Sequence, residues 1–207
     1  SNQLVDAFPE GPFDLLRAYA TRLPVTIIAR LLGVPEERGD DLLAWSNAMV
    51  GMYQAGRTTE TEDKAITATD AFVAFMRSYI DERRTSPADD LITHLIAAEE
   101  AGERLSTDEL ISTCILLLNA GHEATVHTIG NGVKSLLEKG YGRSILDADS
   151  IDRSVEEILR HDPPLHMFTR YAYEDIEISG HTFHRGDQVG CLLAAANRDP
   201  GAWEKPG

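Results

Sequence analysis

Apolar residues recur at helical spacing through the middle of the chain and predict one long central helix, at about residues 107–138. The recurring positions are Leu110, Ile111, Cys114, Ile115, Leu117, Leu118, Ile129, Val133, Leu136 and Leu137. Ser106 and Glu109 have the spacing of a capping box, in which each side chain bonds the backbone N–H of the other, so we expect the helix to begin directly after the serine. Lys139 and Gly140 indicate its end. A helix this long and this apolar has to cross a core.

Five stretches before this helix and one after it show the same periodicity. They predict helices at residues 13–19, 25–32, 40–52, 66–84, 89–101 and 151–160. The last should begin after Ser150, because serine caps helices, and should end before Pro163 and Pro164, which cannot continue one. We interpret the aromatic residues of these stretches as core residues, since they also recur at helical spacing.

After Pro164 the pattern changes to the alternation typical of strands. Residues 175–179 alternate polar and apolar side chains, Gly180 marks a turn, and residues 181–189 contain a second turn at Arg185-Gly186-Asp187. The fold class predicted is therefore mainly α, with a small β region after residue 164. We expect one domain, with a helical part at residues 1–162 and a small β-containing part at residues 163–207.

A polar block interrupts the apolar pattern of the central helix. Residues 119–125 read Asn-Ala-Gly-His-Glu-Ala-Thr, and several of these residues cost helix propensity or desolvation without helping the fold. Because Ala120 and Gly121 leave the helix backbone unshielded, a flat ligand can lie against them; we call these two residues the small-residue notch. The alternatives are a solvated kink and a helix–helix contact through small residues.

Glu157 and Arg160 lie three residues apart and share one face of the predicted 151–160 helix. An exposed pair of this kind is usually worth less than ~1 kcal/mol, so the spacing alone is weak evidence for a function.

Several motifs, taken in order, resemble the cytochrome P450 family of haem-thiolate monooxygenases in its soluble bacterial form. The motifs are A-G-H-E-A-T (120–125), E-E-I-L-R (156–160), H-D-P-P (161–164), an arginine six residues beyond the second proline, and A-A-A-N-R-D-P (194–200). The upstream stretch R-L-P-V-T-I-I-A-R-L-L-G-V-P (22–35) resembles the same family. Together these motifs are highly specific.

The resemblance covers nearly the whole chain but only the middle of the family's pattern. Members are about twice as long, and the thiolate that binds their iron comes from a Gly-rich loop near the C-terminus. We therefore expect a fragment that lacks the N-terminal third and the C-terminal cysteine loop. Cys114 lies in an apolar run and Cys191 in a strand-like stretch, where cysteine usually behaves as a small hydrophobic residue, so we predict no metal ligand in this chain.

The resemblance implies roles for residues of the polar block. Ala120 and Gly121 would lie over the distal face of haem b, and Glu123 would relay protons to the oxygen bound there. In the family, a threonine usually follows the acid at once, whereas here Ala124 follows it and Thr125 comes one position late. Since one residue rotates a side chain by ~100° on a helix, Thr125 cannot point in the same direction. We expect it to deliver protons through water, unless a substrate hydroxyl does so.

The resemblance also implies roles for later residues. Glu157 and Arg160 match a structural pair of the haem-side core, and Arg170 matches an arginine that pairs with a haem propionate, a contact well suited to a guanidinium group. The residues that would border the substrate pocket are Leu165, His166 and Met167.

The function implied is the insertion of one oxygen atom of O₂ into a small organic substrate, with electrons from a ferredoxin or a flavoprotein. We expect the isolated chain to be inactive, with haem absent or poorly bound. The alternative is a haem-free helical fragment, or a degenerate homologue, with no catalysis of its own.

A zinc-protease reading of His122-Glu123-Ala124-Thr125-Val126-His127 is disfavoured by its spacing. That motif needs histidines four residues apart, and five residues place them ~140° apart on a helix.

Charge and cysteine content narrow the partners and the compartment. A formal charge of −15 argues against nucleic-acid binding, which depends on Lys and Arg. Two cysteines and the lack of a secretory or membrane-spanning segment are typical of a cytoplasmic protein.

Overall fold

The computed structural model describes residues 2–54, 56–100 and 105–207, without the side chains of residues 99 and 100. The chain forms two compact units, Ser1–Val126 and His127–Gly207. The boundary between them falls within the described helix at residues 107–139.

Helices dominate the described part of the chain and confirm a mainly α fold. The α-helices are α1 (Asn2–Asp6), α2 (Arg22–Leu32), α3 (Gly39–Val50), α4 (Thr59–Thr85), α5 (Leu91–Glu100), α6 (Thr107–Lys139), α7 (Ile151–His161) and α8 (Leu193–Ala196). A π-helical turn at Leu16–Ala20 and 3₁₀ turns at Glu36–Arg38, Gly51–Tyr53 and Arg143–Leu146 lie between them. None of the described helices combines the length and the apolar character that crossing a bilayer requires.

The start of α6 is fixed by the predicted capping box. The Ser106 N–H donates to Glu109 Oε2 at 2.7 Å, and the Glu109 N–H donates to Ser106 Oγ at 3.3 Å. Helix α7 begins directly after Ser150, as predicted, but the Ser150 side chain makes no capping bond within the described structure. The end of the helix predicted at 89–101 lies partly outside the described residues, since α5 is described only as far as residue 100.

Helix α4 begins earlier than the periodicity predicted. Thr58 and Thr61 form a capping box there, with the Thr61 N–H donating to Thr58 Oγ1 at 3.3 Å. The predicted stripe of α4 does enter the core of the first unit, where Phe72 and Met76 are fully buried and the Trp45 ring packs edge-on against Phe72.

A hydrogen-bonded cluster ties the end of α2 to α4 and to the start of α5. Gly33 closes α2 with φ +78°, and its carbonyl accepts bonds from the Tyr79 hydroxyl and from Arg83 Nη2. Arg83 Nε also donates to Asp90 Oδ2 at 2.8 Å, and the Thr93 N–H donates to Asp90 Oδ1 at 2.8 Å. Burial raises the pKa of Asp90, but these bonds outweigh it and hold that pKa below its ordinary value.

The second unit contains four short strands, which confirm the predicted β region after residue 164. They are β1 (Met167–Tyr171), β2 (Ile176–Ile178), β3 (His181–Phe183) and β4 (Gln188–Leu192). β1 pairs antiparallel with β4, with Met167 opposite Leu192, and β2 pairs antiparallel with β3. β1 was not predicted as a strand because its residues do not alternate between polar and apolar.

Candidate functional site

The two residues of the small-residue notch face different surroundings in the first unit. Ala120 is exposed, and Leu116, one turn before it on α6, is 65% exposed. Gly121 is rotated by ~100° from Ala120 and packs against α2, because a Cβ built on it would lie 3.1 Å from Ile28 Cδ1. Gly121 therefore makes a helix–helix contact, as one of the alternatives for the small-residue notch proposed. Ala120 instead presents a small side chain on an open surface.

The hydroxyl of Thr125 bonds its own helix. Thr125 Oγ1 donates to the Gly121 carbonyl at 2.9 Å, so its proton is engaged while its lone pairs can still accept a bond. On the helix, Ala124 lies ~40° from Ala120, whereas Thr125 lies ~140° from it. Ala124 therefore lies close to Ala120 around the helix axis, but it is half-buried, as Glu123 is, whereas Thr125 is exposed on another side of the helix.

The two histidines of the rejected zinc-protease motif, His122 and His127, differ in their exposure. His122 is buried and His127 is exposed, as their separation on the helix predicts. Within the residues that the structure describes, no group of three or more His, Cys, Asp or Glu side chains is arranged to hold a metal ion.

Both cysteines lie on regular secondary structure. Cys114 on α6 is fully buried, and burial raises the pKa of its thiol to about 12, which disfavours the thiolate form. Cys191 is exposed on β4, opposite Phe168 of β1. Neither position is a glycine-rich loop.

The predicted pair of Glu157 and Arg160 is at the centre of a larger contact in the second unit. Arg160 Nε and Nη2 donate to the two carboxylate oxygens of Glu157 at 2.7 and 2.8 Å. Its Nη1 donates to the carbonyls of Asn197 at 2.7 Å and Pro206 at 3.2 Å, and its guanidinium lies 5.1 Å from the centre of the Trp203 ring. The hydrogen bonds from Arg160 lower the pKa of Glu157. Arg160 thus ties α7 to the C-terminal segment.

Sequence reasoning missed a second contact of the same kind. Arg198 Nε donates to the His161 carbonyl at the end of α7 at 3.0 Å. The following Asp199 accepts a bond from the Gly201 N–H at 2.8 Å and closes a turn. The signal for it in the sequence is the motif A-A-A-N-R-D-P (194–200), which by itself indicates no partner for Arg198.

Arg170 is exposed on β1, where it lies opposite Val189. Its Nη1 donates to the Thr169 carbonyl at 2.9 Å, and its guanidinium lies 5.3 Å from the centre of the Phe168 ring. No carboxylate in the described part of the chain pairs with it, so the guanidinium is open to an anion. The predicted border of a substrate pocket, residues 165–167, is exposed as well.

Comparisons with known proteins show which family the chain resembles. The family model "Cytochrome P450" matches residues 150–207. "Vitamin D(3) 25-hydroxylase" of Pseudonocardia autotrophica is 42% identical over 194 residues, which cover 92% of this chain and 46% of that protein. "Polyketide biosynthesis cytochrome P450 PksS" of Bacillus subtilis is 36% identical over 210 residues, covering 100% of this chain and 51% of that protein.

A solved structure matches the fold over almost the whole chain. It is P450BioI in complex with hexadec-9Z-enoic acid ligated acyl carrier protein, with a TM-score of 0.92 and 34% identity, covering 99% of this chain and 54% of that one. The chain spans about half the length of the curated relatives it matches. The motifs, the fold and these relatives lead to one conclusion: the chain belongs to the cytochrome P450 family.

Proposed function

We propose that this chain is the central portion of a haem-dependent monooxygenase that inserts one oxygen atom of O₂ into a small organic substrate. The observation that carries the proposal is the open face of α6 at Ala120, next to the carboxylate of Glu123. A bound haem would supply the iron for O₂ activation. The electrons come from a ferredoxin or a flavoprotein, and the enzyme is cytoplasmic, in keeping with its two unpaired cysteines.

Taken one by one, residues of each unit suit a part of the porphyrin, but no cysteine of the chain suits its iron. The exposed Ala120 and Leu116 offer a surface on which a flat apolar ring can lie. The open guanidinium of Arg170 suits a propionate, because its planar fork matches a carboxylate. Neither Cys114 nor Cys191 fits an iron ligand, which supports the proposal that the isolated chain is inactive. Gly121 supports the surface indirectly, by letting α6 approach α2.

We propose that the Glu123 carboxylate carries the proton that the reaction consumes. Thr125 binds the water molecule through which this proton passes. Thr125 donates to the Gly121 carbonyl, so it acts as an acceptor for that water unless its hydroxyl rotates. Ala124 has no hydroxyl, and a substrate hydroxyl is the other group able to hold the water.

This role predicts how two variants of a full-length monooxygenase that carries this segment behave. Thr125→Val should lower the amount of product formed per reductant consumed several-fold. The change removes the hydroxyl that accepts a hydrogen bond from water but keeps a side chain of the same shape. Ala124→Thr should change that ratio little. Ala74→Thr on the exposed face of α4 is the control. A large rise with Ala124→Thr would contradict the role and show a native site that is poor at proton delivery.

The alternative is a haem-free helical fragment or a degenerate homologue, and the positions of Cys114 and Cys191 are the observation that favours it. The carbon monoxide spectrum separates the two proposals. The full-length polypeptide that the gene encodes, reconstituted with haemin and reduced, should give the Soret band of thiolate-ligated haem, and the 207-residue chain should not. No such band from the full-length polypeptide would contradict the monooxygenase. The band from the 207-residue chain would contradict our interpretation of its cysteines.

A further inference from the structure

The second unit contains a cavity of about 570 Å³ that the proposed function does not use. It lies between the last turns of α6, the 3₁₀ turn Arg143–Leu146 and helix α7. Small-molecule sites usually have volumes of roughly 300–1,000 Å³, so the cavity has the size of a ligand site.

The apolar wall of the cavity is held in place on both sides. Leu136, Ile145 and Ile158 form this wall. Ile158 packs against α6, since a Cβ built on Gly132 would lie 3.1 Å from Ile158 Cγ2. The Ser154 hydroxyl donates to the Ile145 carbonyl at 2.5 Å and ties the 3₁₀ turn to α7. A ligand therefore meets a surface that is already formed, which lowers the cost of binding.

The charged residues of the cavity favour an anion. Lys139 and Arg153 line it together with Asp149 and Glu157. The charge of Glu157 is already compensated by its bidentate pair with Arg160. Two cations therefore face one uncompensated carboxylate, in a chain whose formal charge is −15.

His161 also lines the cavity, and its pKa reflects the positive charge nearby. Burial is the first cause that lowers its pKa, and the nearby charges of Lys139, Arg198 and Arg160 lower it further. These causes favour the neutral ring, which is able to donate or accept a hydrogen bond.

We propose that this cavity binds a small amphiphilic anion, with a carboxylate or sulfonate group facing Lys139 and Arg153 and an apolar body against Leu136, Ile145 and Ile158. A charge-assisted bond favours the anionic head, and the apolar wall selects against inorganic anions. The inference does not depend on haem or on the proposed reaction, so its failure would leave the proposed function intact.

The test compares two fluorescent probes that share one aromatic body. 8-Anilinonaphthalene-1-sulfonate carries a negative charge, and N-phenyl-1-naphthylamine is neutral. We expect the wild-type chain to bind the anionic probe at least about tenfold more tightly. The double variant Lys139→Gln/Arg153→Gln should remove most of this difference and leave the affinity for the neutral probe unchanged. Both replaced residues are exposed, so the variant should fold.

The matched control is Lys134→Gln/Arg143→Gln, which removes the same charge from α6 and the 3₁₀ turn without touching the lining. Amide NMR shifts then locate the anionic probe, since exposed apolar residues of the β region also attract it. Shifts in α7 and at the end of α6, with an unaffected control, would support the proposal. Equal affinities for the two probes, shifts confined to β1–β4, or an equal loss in the control would overturn it.

Discussion

Replacing Gly33 by alanine is expected to destabilise the first unit by about 3 kcal/mol or more. A non-glycine residue at φ +78° costs roughly 1–2 kcal/mol by itself. In addition, a Cβ at this position would lie 2.1 Å from Asp90 Oδ2. Asp90 has little freedom to move away, because Arg83 and Thr93 hold its two oxygens and its side chain is only 3% exposed. Urea unfolding of the variant measures the loss.

Gly11→Ala separates the two causes of the Gly33→Ala effect. Gly11 has φ +85°, but a Cβ there would meet nothing within 4 Å. Only the backbone cost of about 1 kcal/mol should appear. An equal loss of stability in both variants would show that the contact between the introduced Cβ and Asp90 has no influence on stability.

Replacing Arg160 by alanine is expected to destabilise the second unit by about 2–4 kcal/mol. The change removes two hydrogen bonds to the carbonyls of Asn197 and Pro206 and the contact with the Trp203 ring. The Glu157 pair should contribute little to the loss, because that carboxylate is 61% exposed and becomes hydrated when Arg160 is absent. Urea unfolding measures the loss in the free energy of unfolding. In the variant, the NMR signal of the Trp203 indole should reach its position in the unfolded chain at urea concentrations that leave α7 folded.

Two variants on the same helix test that explanation. Glu157→Gln should cost less than about 1 kcal/mol, since it leaves the carbonyl bonds of Arg160 in place. Arg153→Ala removes an exposed arginine and should have almost no effect. If Glu157→Gln destabilised the unit as much as Arg160→Ala, the ion pair would be the stabilising contact and the links to the C-terminal segment would not.

Local signals predicted the helices well where apolar periodicity coincides with a cap. Helix α6 follows its apolar positions and starts at the Ser106 box. The start of α4 was missed because its first turn is polar and is decided by Thr58 and Thr61. Strand β1 was missed because its residues are mostly exposed on both faces of a two-stranded sheet, so burial imposes no alternation on its sequence.

The sequence predicted which residues are special more accurately than what they contact. The spacing of Glu157 and Arg160 indicated a pair, but the partners Asn197 and Pro206 are distant in the chain and no periodicity connects them to α7. For Gly121 the residue pattern left a ligand contact and a helix–helix contact open, because small residues serve both. The position of Ile28 shows a helix contact at Gly121, and the haem contact implied by the resemblance stays a prediction.

Metal-free protoporphyrin IX tests most directly whether the open face of α6 at Ala120 binds a porphyrin. This porphyrin needs no iron ligand, so it reports the surface rather than the missing thiolate. Titrated into the ¹⁵N-labelled chain, it should shift amide signals at residues 116–124, and Ala120→Phe should abolish those shifts. Ala74→Phe on the exposed face of α4 should leave them unchanged. Shifts that avoid α6, or that persist in Ala120→Phe, would contradict the claim that this face binds haem.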